Sequence, residues 1–375
     1  MTQSNTGPAA AQDDSKSAAG IPVWSLVAPT ACWLLLAGLM LGAHGPVYAS
    51  LLGISLITGV LAGVHHAEVV AHRLGEPFGT LVLAVAVTLI EVALIVSLML
   101  SGGPAATALA RDTVFASIMI ILNGLVGLCL LTGGRHFGEQ SFGLHGVSAS
   151  LATLAAIAAL TLVLPNYTTT INGPFYSASQ LGFVAAVSLI LYGTFIFVQT
   201  VRHRDYFLPP DAASDHDAHA APPSNRVAII SAAMLLVCLS AVVIIAESLA
   251  PTVESVVHAA HAPEALVGII IASIVLMPEG YAAVRAALRN RLQTSLNLTL
   301  GSALASIGFT IPAVAIISLF TGQTLTLGLE IKETVLLVLT LFVSTLSLNT
   351  GRTTVLQGAV HLVIFGVYLF TVIVP

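Results

Sequence analysis

Apolar residues run for about 20 positions at a time along most of this chain, separated by short polar breaks. Such runs are too long for strands, and a helix needs roughly 20 apolar residues to cross a bilayer. Windows of that length predict about eleven helices, near residues 22–42, 47–65, 78–100, 113–132, 144–164, 179–200, 227–247, 264–286, 296–320, 333–348 and 353–374. The expected fold class is therefore an all-α polytopic membrane protein.

One polar interruption is longer than the rest. It runs over 202–226, contains DAASDHDAHAAPP and has no apolar periodicity, so it reads as a cytoplasmic linker. The pattern then divides into a disordered cytoplasmic tail (1–21), a leading helix (22–45), five helices (46–201), the linker, and five more helices (227–375). An odd-numbered unit repeated in tandem inserts with opposite topology, which is the inverted-repeat plan of many secondary transporters. Internal likeness agrees: GTLVLAVAVTLIE and VGIIIASIVLMPE occupy matching places, and FASIMIILNG and LGSALASIGF each open the next span with a small residue and a serine.

Basic residues set the expected orientation, because cytoplasmic loops collect Lys and Arg. With the amino terminus inside, Lys16, Arg73, Arg135, Arg202, Arg204, Arg226, Arg285, Arg289, Arg291 and Arg352 face the cytoplasm, against Arg111 and Lys332 outside. That imbalance predicts a cytoplasmic amino terminus and an external carboxyl terminus. The composition fits, with 57% hydrophobic and 8% charged residues where a soluble domain has about 25% charged. With 12 basic residues scattered over many loops, nucleic-acid binding is excluded. Cys32, Cys129 and Cys238 all fall in apolar runs and read as small hydrophobes.

Against this background two acids stand out. Glu91 and Glu279 lie near the middle of apolar runs in opposite halves, and neither run holds a Lys or Arg. A carboxylate at the bilayer centre costs on the order of 2.5–3.5 kcal/mol even on the lenient insertion scale. Its countercharge must be a proton or a metal cation, and two acids in opposed repeats can meet near the midplane. Pro278 cannot donate to the carbonyl of Ile274, so the helix should break beside Glu279 and offer that backbone oxygen as a ligand. Thr88, Ser117, Ser302 and Asn123 add neutral oxygens of the kind hard cations accept. For the three hydroxyls, helix packing or bonding to a carbonyl one turn back is the competing reading.

Other polar groups are less decisive. His65, Glu68, His72 and Glu76 fall near one helix face at the cytoplasmic edge, where they serve either pH sensing or an ordinary solvated helix end. His216 and His219, with Asp211, Asp215 and Asp217, read as a solubilising linker that at most binds metal weakly. His361, after Asn349 and Arg352, lies inside the last apolar run and is either a proton relay or gate, or a structural hydrogen-bond partner. Trp24 and Trp33 read as interface anchors or packing residues of the leading helix.

The stretches HHAEVVAHRLGEPFGTLVLAVAVTLIEVALI, RDTVFASIMIILNGLVGLCLLTGGRHF, VLMPEGYAAV with NLTLGSALASIGFTIPAV, and TGRTTVLQGAVHLVIF resemble the bacterial calcium/proton antiporters of the cation/calcium exchanger superfamily. The nearest branch is the one also described as sodium, potassium and calcium/proton antiporters. The resemblance covers most of the chain. It implies one leading helix plus two inverted five-helix repeats, alternating access around the paired glutamates Glu91 and Glu279, and residence in the bacterial inner membrane. This sequence departs from the superfamily in lacking the Gly-Asn pair shortly before each acid, reading AVTLIE and IVLMPE instead. Fewer amide ligands bear directly on calcium selectivity.

The expected activity is export of Ca2+, with Na+ or K+ behind it, in exchange for protons that compete for the same carboxylates. No resident cofactor is expected, the passengers being inorganic cations and protons and the setting a lipid bilayer. A cation channel is the alternative, using the same acids without a proton counterflow. A membrane-embedded metalloenzyme built on His65, Glu68 and His72 is the remote one.

Overall fold

A computed structural model describes residues 21–74, 78–101, 107–208, 223–259, 263 and 265–374. The tail calls, Glu76 and the linker residues Asp211, Asp215, His216, Asp217 and His219 lie outside the described residues. The leading helix is α1 (Val23–Met40). The first repeat comprises α2 (Pro46–Leu74), α3 (Phe78–Ser101), α4 (Leu109–Met119) continued by a π segment (Ile120–Leu125) into α5 (Val126–Phe137), α6 (Leu144–Ala158) and α7 (Ala178–Phe197). The second comprises α8 (Asn225–Ala259), α9 (Ala265–Ala287), α10 (Leu292–Thr321), α11 (Ile331–Leu348) and α12 (Val355–Ile373).

Among the described residues, nine helices are long and apolar enough to cross a membrane, or ten if the bent α9 counts as one span. The expected eleven is one more, and α3 makes the difference: it runs 24 residues, of which Thr88–Ser97 registers as a shorter apolar helix. Two expectations need correction. The seventh span does not end near residue 247 but runs on through Pro251 to Ala259. The linker is not wholly without structure, since a 3-10 turn (Arg204–Phe207) buries Phe207 and gives its carbonyl to Asn297 Nδ2 at 2.5 Å.

Inverted symmetry is visible in which helices touch. The contact of α10 with α7 is mirrored by that of α5 with α12, and α3 against α10 by α9 against α4. Loops repeat the pattern. β1 (Glu139–Ser141), between α5 and α6, pairs antiparallel with β2 (Arg352–Thr354), between α11 and α12. At the far end of α6, Phe175 between α6 and α7 bridges to Thr326 between α10 and α11. Each link after the third span of one repeat thus meets the link before the fifth span of the other.

The α4–α5 span and α10 form the centre, with 83% and 67% of their apolar windows buried against 22–44% for the other qualifying helices. Without water to drive apolar faces together, membrane helices associate through close packing, which favours small residues. The run SALASIG on α10 suits that requirement: Gly308 lies against the ring of Tyr192 on α7. The long α2 and α8 cross where Gly59 faces Val242 and Gly63 faces Cys238. All three cysteines are free and buried.

Candidate cation site

Glu91 sits on α3 at 3% exposure, where the apolar pattern of that helix buries it against the two central spans. Its Oε1 accepts a hydrogen bond from Ser117 Oγ of α4 at 3.2 Å and another from Ser306 Oγ of α10 at 2.6 Å. Glu279, half-buried on α9, accepts through Oε2 from Ser302 Oγ of α10 at 2.9 Å. Ser302 and Ser306 are one helical turn apart, about 6 Å between Cβ atoms. A single face of α10 therefore holds both acids, and puts their carboxylates within roughly 14 Å of each other. Among the described residues no basic side chain acts on either acid.

Pro278 has the expected effect on backbone direction. The segments Gly268–Met277 and Glu279–Ala287 meet at 55°, because a ring without an N–H cannot close the turn onto Ile274. The bend turns Glu279 toward Ser302. Ile274 itself packs its side chain against the cluster of α1, α2 and α8. Thr88 is buried one turn before Glu91.

Three expected participants belong elsewhere. Asn123 is fully buried in the π segment, where its Nδ2 donates to Thr340 Oγ1 at 2.8 Å and its Oδ1 faces His361 Nδ1 at 3.4 Å. The wider π turn changes which way position 123 points relative to Ser117. Arg352 and Asn349 do not join His361. Asn349 ends α11 at the surface, and Arg352 pairs with Glu139 at 3.1 Å with both side chains largely exposed, whereas His361 is fully buried.

The histidine cluster at the end of α2 does not converge either. Glu68 and His72 are exposed, while the His65 ring lies tilted beside Trp24, centroids 5.2 Å apart. Neighbouring His66 is the buried one, its Nε2 3.0 Å from the Ser25 carbonyl. Among the described residues no three of His, Cys, Asp and Glu gather as a metal centre. Trp33 Nε1 donates to the Val237 carbonyl at 3.3 Å and ties α1 to α8.

Sequence reasoning missed Ser306, although its place one turn after Ser302 on the same helix was a usable signal. It also missed Glu247, a third acid in an apolar run, which accepts from Ser97 of α3 at 2.8 Å.

The residues matching the model of the sodium/calcium exchanger protein family are 44–201 and 230–374, the two repeats. The chain is 51% identical over 362 residues to y4hA of Sinorhizobium fredii, named as an ionic transporter, spanning 95% of this chain and 98% of that one. It is 39% identical over 321 residues to the sodium-potassium/proton antiporter ChaA of Escherichia coli, covering 85% and 87%. The fold matches the crystal structure of the H+/Ca2+ exchanger CAX with a TM-score of 0.71 at 16% identity, over 93% of this chain and 88% of that one. Two opposed repeats, a bent acid-bearing helix and this likeness converge: the chain belongs to the sodium/calcium exchanger family, within the cation/calcium exchanger superfamily.

Proposed function

We propose that the protein exports Ca2+ in exchange for H+, with Na+ and K+ as further substrates, by alternating access around Glu91 and Glu279. At the coarser level it is a multi-pass membrane transporter of cations and protons, not an enzyme. The observation that carries the proposal is the wiring of both acids to one face of α10 through Ser302 and Ser306, with no basic partner for either among the described residues.

Two buried carboxylates without countercharge are too costly to carry across a low-dielectric barrier. A divalent cation neutralises both, and so do protons. If only the neutralised forms reorient, inward protons and outward cation are coupled without leak. Ca2+ takes six to eight oxygens; drawn together on one ion, the two carboxylates with Ser117, Ser302 and Ser306 would supply most of that number. The absence of the superfamily's amides before each acid favours a looser site that also admits monovalent ions. The names of the relatives, one a sodium-potassium/proton antiporter and one an H+/Ca2+ exchanger, support the same substrate class. The arginine distribution supports a cytoplasmic amino terminus and an external carboxyl terminus in a bacterial inner membrane.

The test is proton flux in reconstituted vesicles. Imposed gradients of Ca2+, Na+ and K+ should each drive proton movement over a range of pH, with Ca2+ effective at the lowest concentration. Calcium flux without proton counterflow would identify a channel and overturn the exchange reading.

A further inference from the structure

We infer that His361 is a positioning residue for the cation site, clamping the π segment of the α4–α5 span so that Ser117 stays on Glu91; the inference rests on the reading of Glu91 given above. The clamp is a closed chain of contacts among four side chains from three spans. His361 Nδ1 on α12 faces Asn123 Oδ1 at 3.4 Å. Asn123 Nδ2 donates to Thr340 Oγ1 on α11 at 2.8 Å, and Thr340 Oγ1 in turn donates to Met119 Sδ at 3.4 Å. Met119 and Asn123 bracket the start of the π segment Ile120–Leu125, so the chain grips the bulge on both sides of its first turn.

Asn123, Thr340 and His361 are all fully buried. At that depth each polar group needs a partner, and the set supplies them for Asn123, Thr340 and His361 Nδ1, while His361 Nε2 is buried without a hydrogen-bond partner among the described residues. The directions follow from the donors. With its amide nitrogen committed to Thr340, Asn123 presents only its oxygen to His361, so the imidazole donates from Nδ1. The Leu122 carbonyl, inside the same π segment, also acts on the ring.

The consequence for the site comes from helix geometry. A π bulge holds one residue more than an α-helical turn, and its relaxation to α-helix rotates the two flanks by about 100° relative to each other. The α5 flank is fixed, because Gly127 lies so close to His361 and Leu362, and Gly358 so close to Leu131, that neither helix can turn past the other. Rotation must then be taken by α4, which carries Ser117 two residues before Met119. Losing the clamp moves Ser117 off Glu91.

A double-mutant cycle in vesicles tests this, with KM for the driving cation and turnover per folded transporter measured separately. His361→Leu should raise KM to the same degree as Ser117→Ala, roughly tenfold, the factor of a lost hydrogen bond to a charged group. The double variant should be no worse than either single one, since both remove the same contact. His361→Asn keeps a donor at the Nδ1 position and should stay within about twofold of the parent by the same reasoning. Thr340→Val tests the clamp from α11 should His361→Leu fail to fold, and should likewise raise KM without adding to Ser117→Ala. Additive effects, a fall in turnover at unchanged KM, or an Asn variant as impaired as Leu would each overturn the inference. Glu91→Gln in the same vesicles separates the two levels: if it exchanges normally the site reading falls and this inference with it, and if it is inactive an additive cycle removes the inference alone.

Discussion

Replacing Ser306 by alanine isolates the one serine that reaches Glu91 from the opposite repeat. Its Oγ lies 2.6 Å from the carboxylate, against 3.2 Å for Ser117 and 2.9 Å for Ser302 on Glu279. Hydrogen bonds to charged groups contribute about 1.5–3 kcal/mol, or roughly 10- to 150-fold in an equilibrium constant. The shortest bond belongs near the top of that range and the longest near the bottom. A hydroxyl that donates to a carboxylate stabilises the form that binds a cation, so its loss favours the proton in their competition. Ser306→Ala should therefore raise the KM for Ca2+ well beyond tenfold at neutral pH, and Ser117→Ala only about tenfold. Calcium-dependent proton flux in vesicles, read with an internal pH dye across a calcium titration, measures both. An unchanged KM in Ser306→Ala, or a larger effect from Ser117→Ala, would show that the short contact does not shape the site.

Three further substitutions probe the frame. Pro278→Ala restores the missing backbone donor, so it should straighten α9, leave the thermal midpoint unchanged or higher, and weaken cation affinity by drawing Glu279 from Ser302; thermal unfolding alongside flux assays checks both parts. Gly358→Ala places a Cβ against the Leu131 amide and 2.8 Å from the Gly127 carbonyl, and should destabilise the transporter by about 1–3 kcal/mol as overpacking does, visible as a lower unfolding temperature in detergent. Arg352→Ala removes an exposed ion pair with Glu139 of a kind that contributes about 0–1 kcal/mol, and should leave KM and unfolding temperature unchanged in the same measurements.

Much of this arrangement was written in residue types. An acid without a basic neighbour in an apolar run declares its own cost, and that sufficed to pick out Glu91 and Glu279. Proline's missing N–H likewise announced the bend at 278. What sequence could not convey was direction around a helix. Asn123 was legible as a buried amide in need of partners, but its partners in the π segment are Thr340 and His361. His65 and His66 differ by one position and hence by about 100°, and only the second is enclosed, at 0% exposure. Arg352 and His361 share one run of sequence, but strand β2 places the arginine outside the last helix. Ser306 could have been flagged by its place one turn after Ser302, but its partner was not legible: Glu91 is 215 residues away, across a contact between repeats that no local spacing encodes.

The central claim is that two acids with no basic partner among the described residues carry either cation or protons, and the most direct measurement is cation-driven proton flux in vesicles holding Glu91→Gln or Glu279→Gln transporter. Each amide keeps the shape and removes the exchangeable charge, so both variants should insert, fold and show no coupled flux for Ca2+, Na+ or K+. Sustained exchange in either variant would contradict the account.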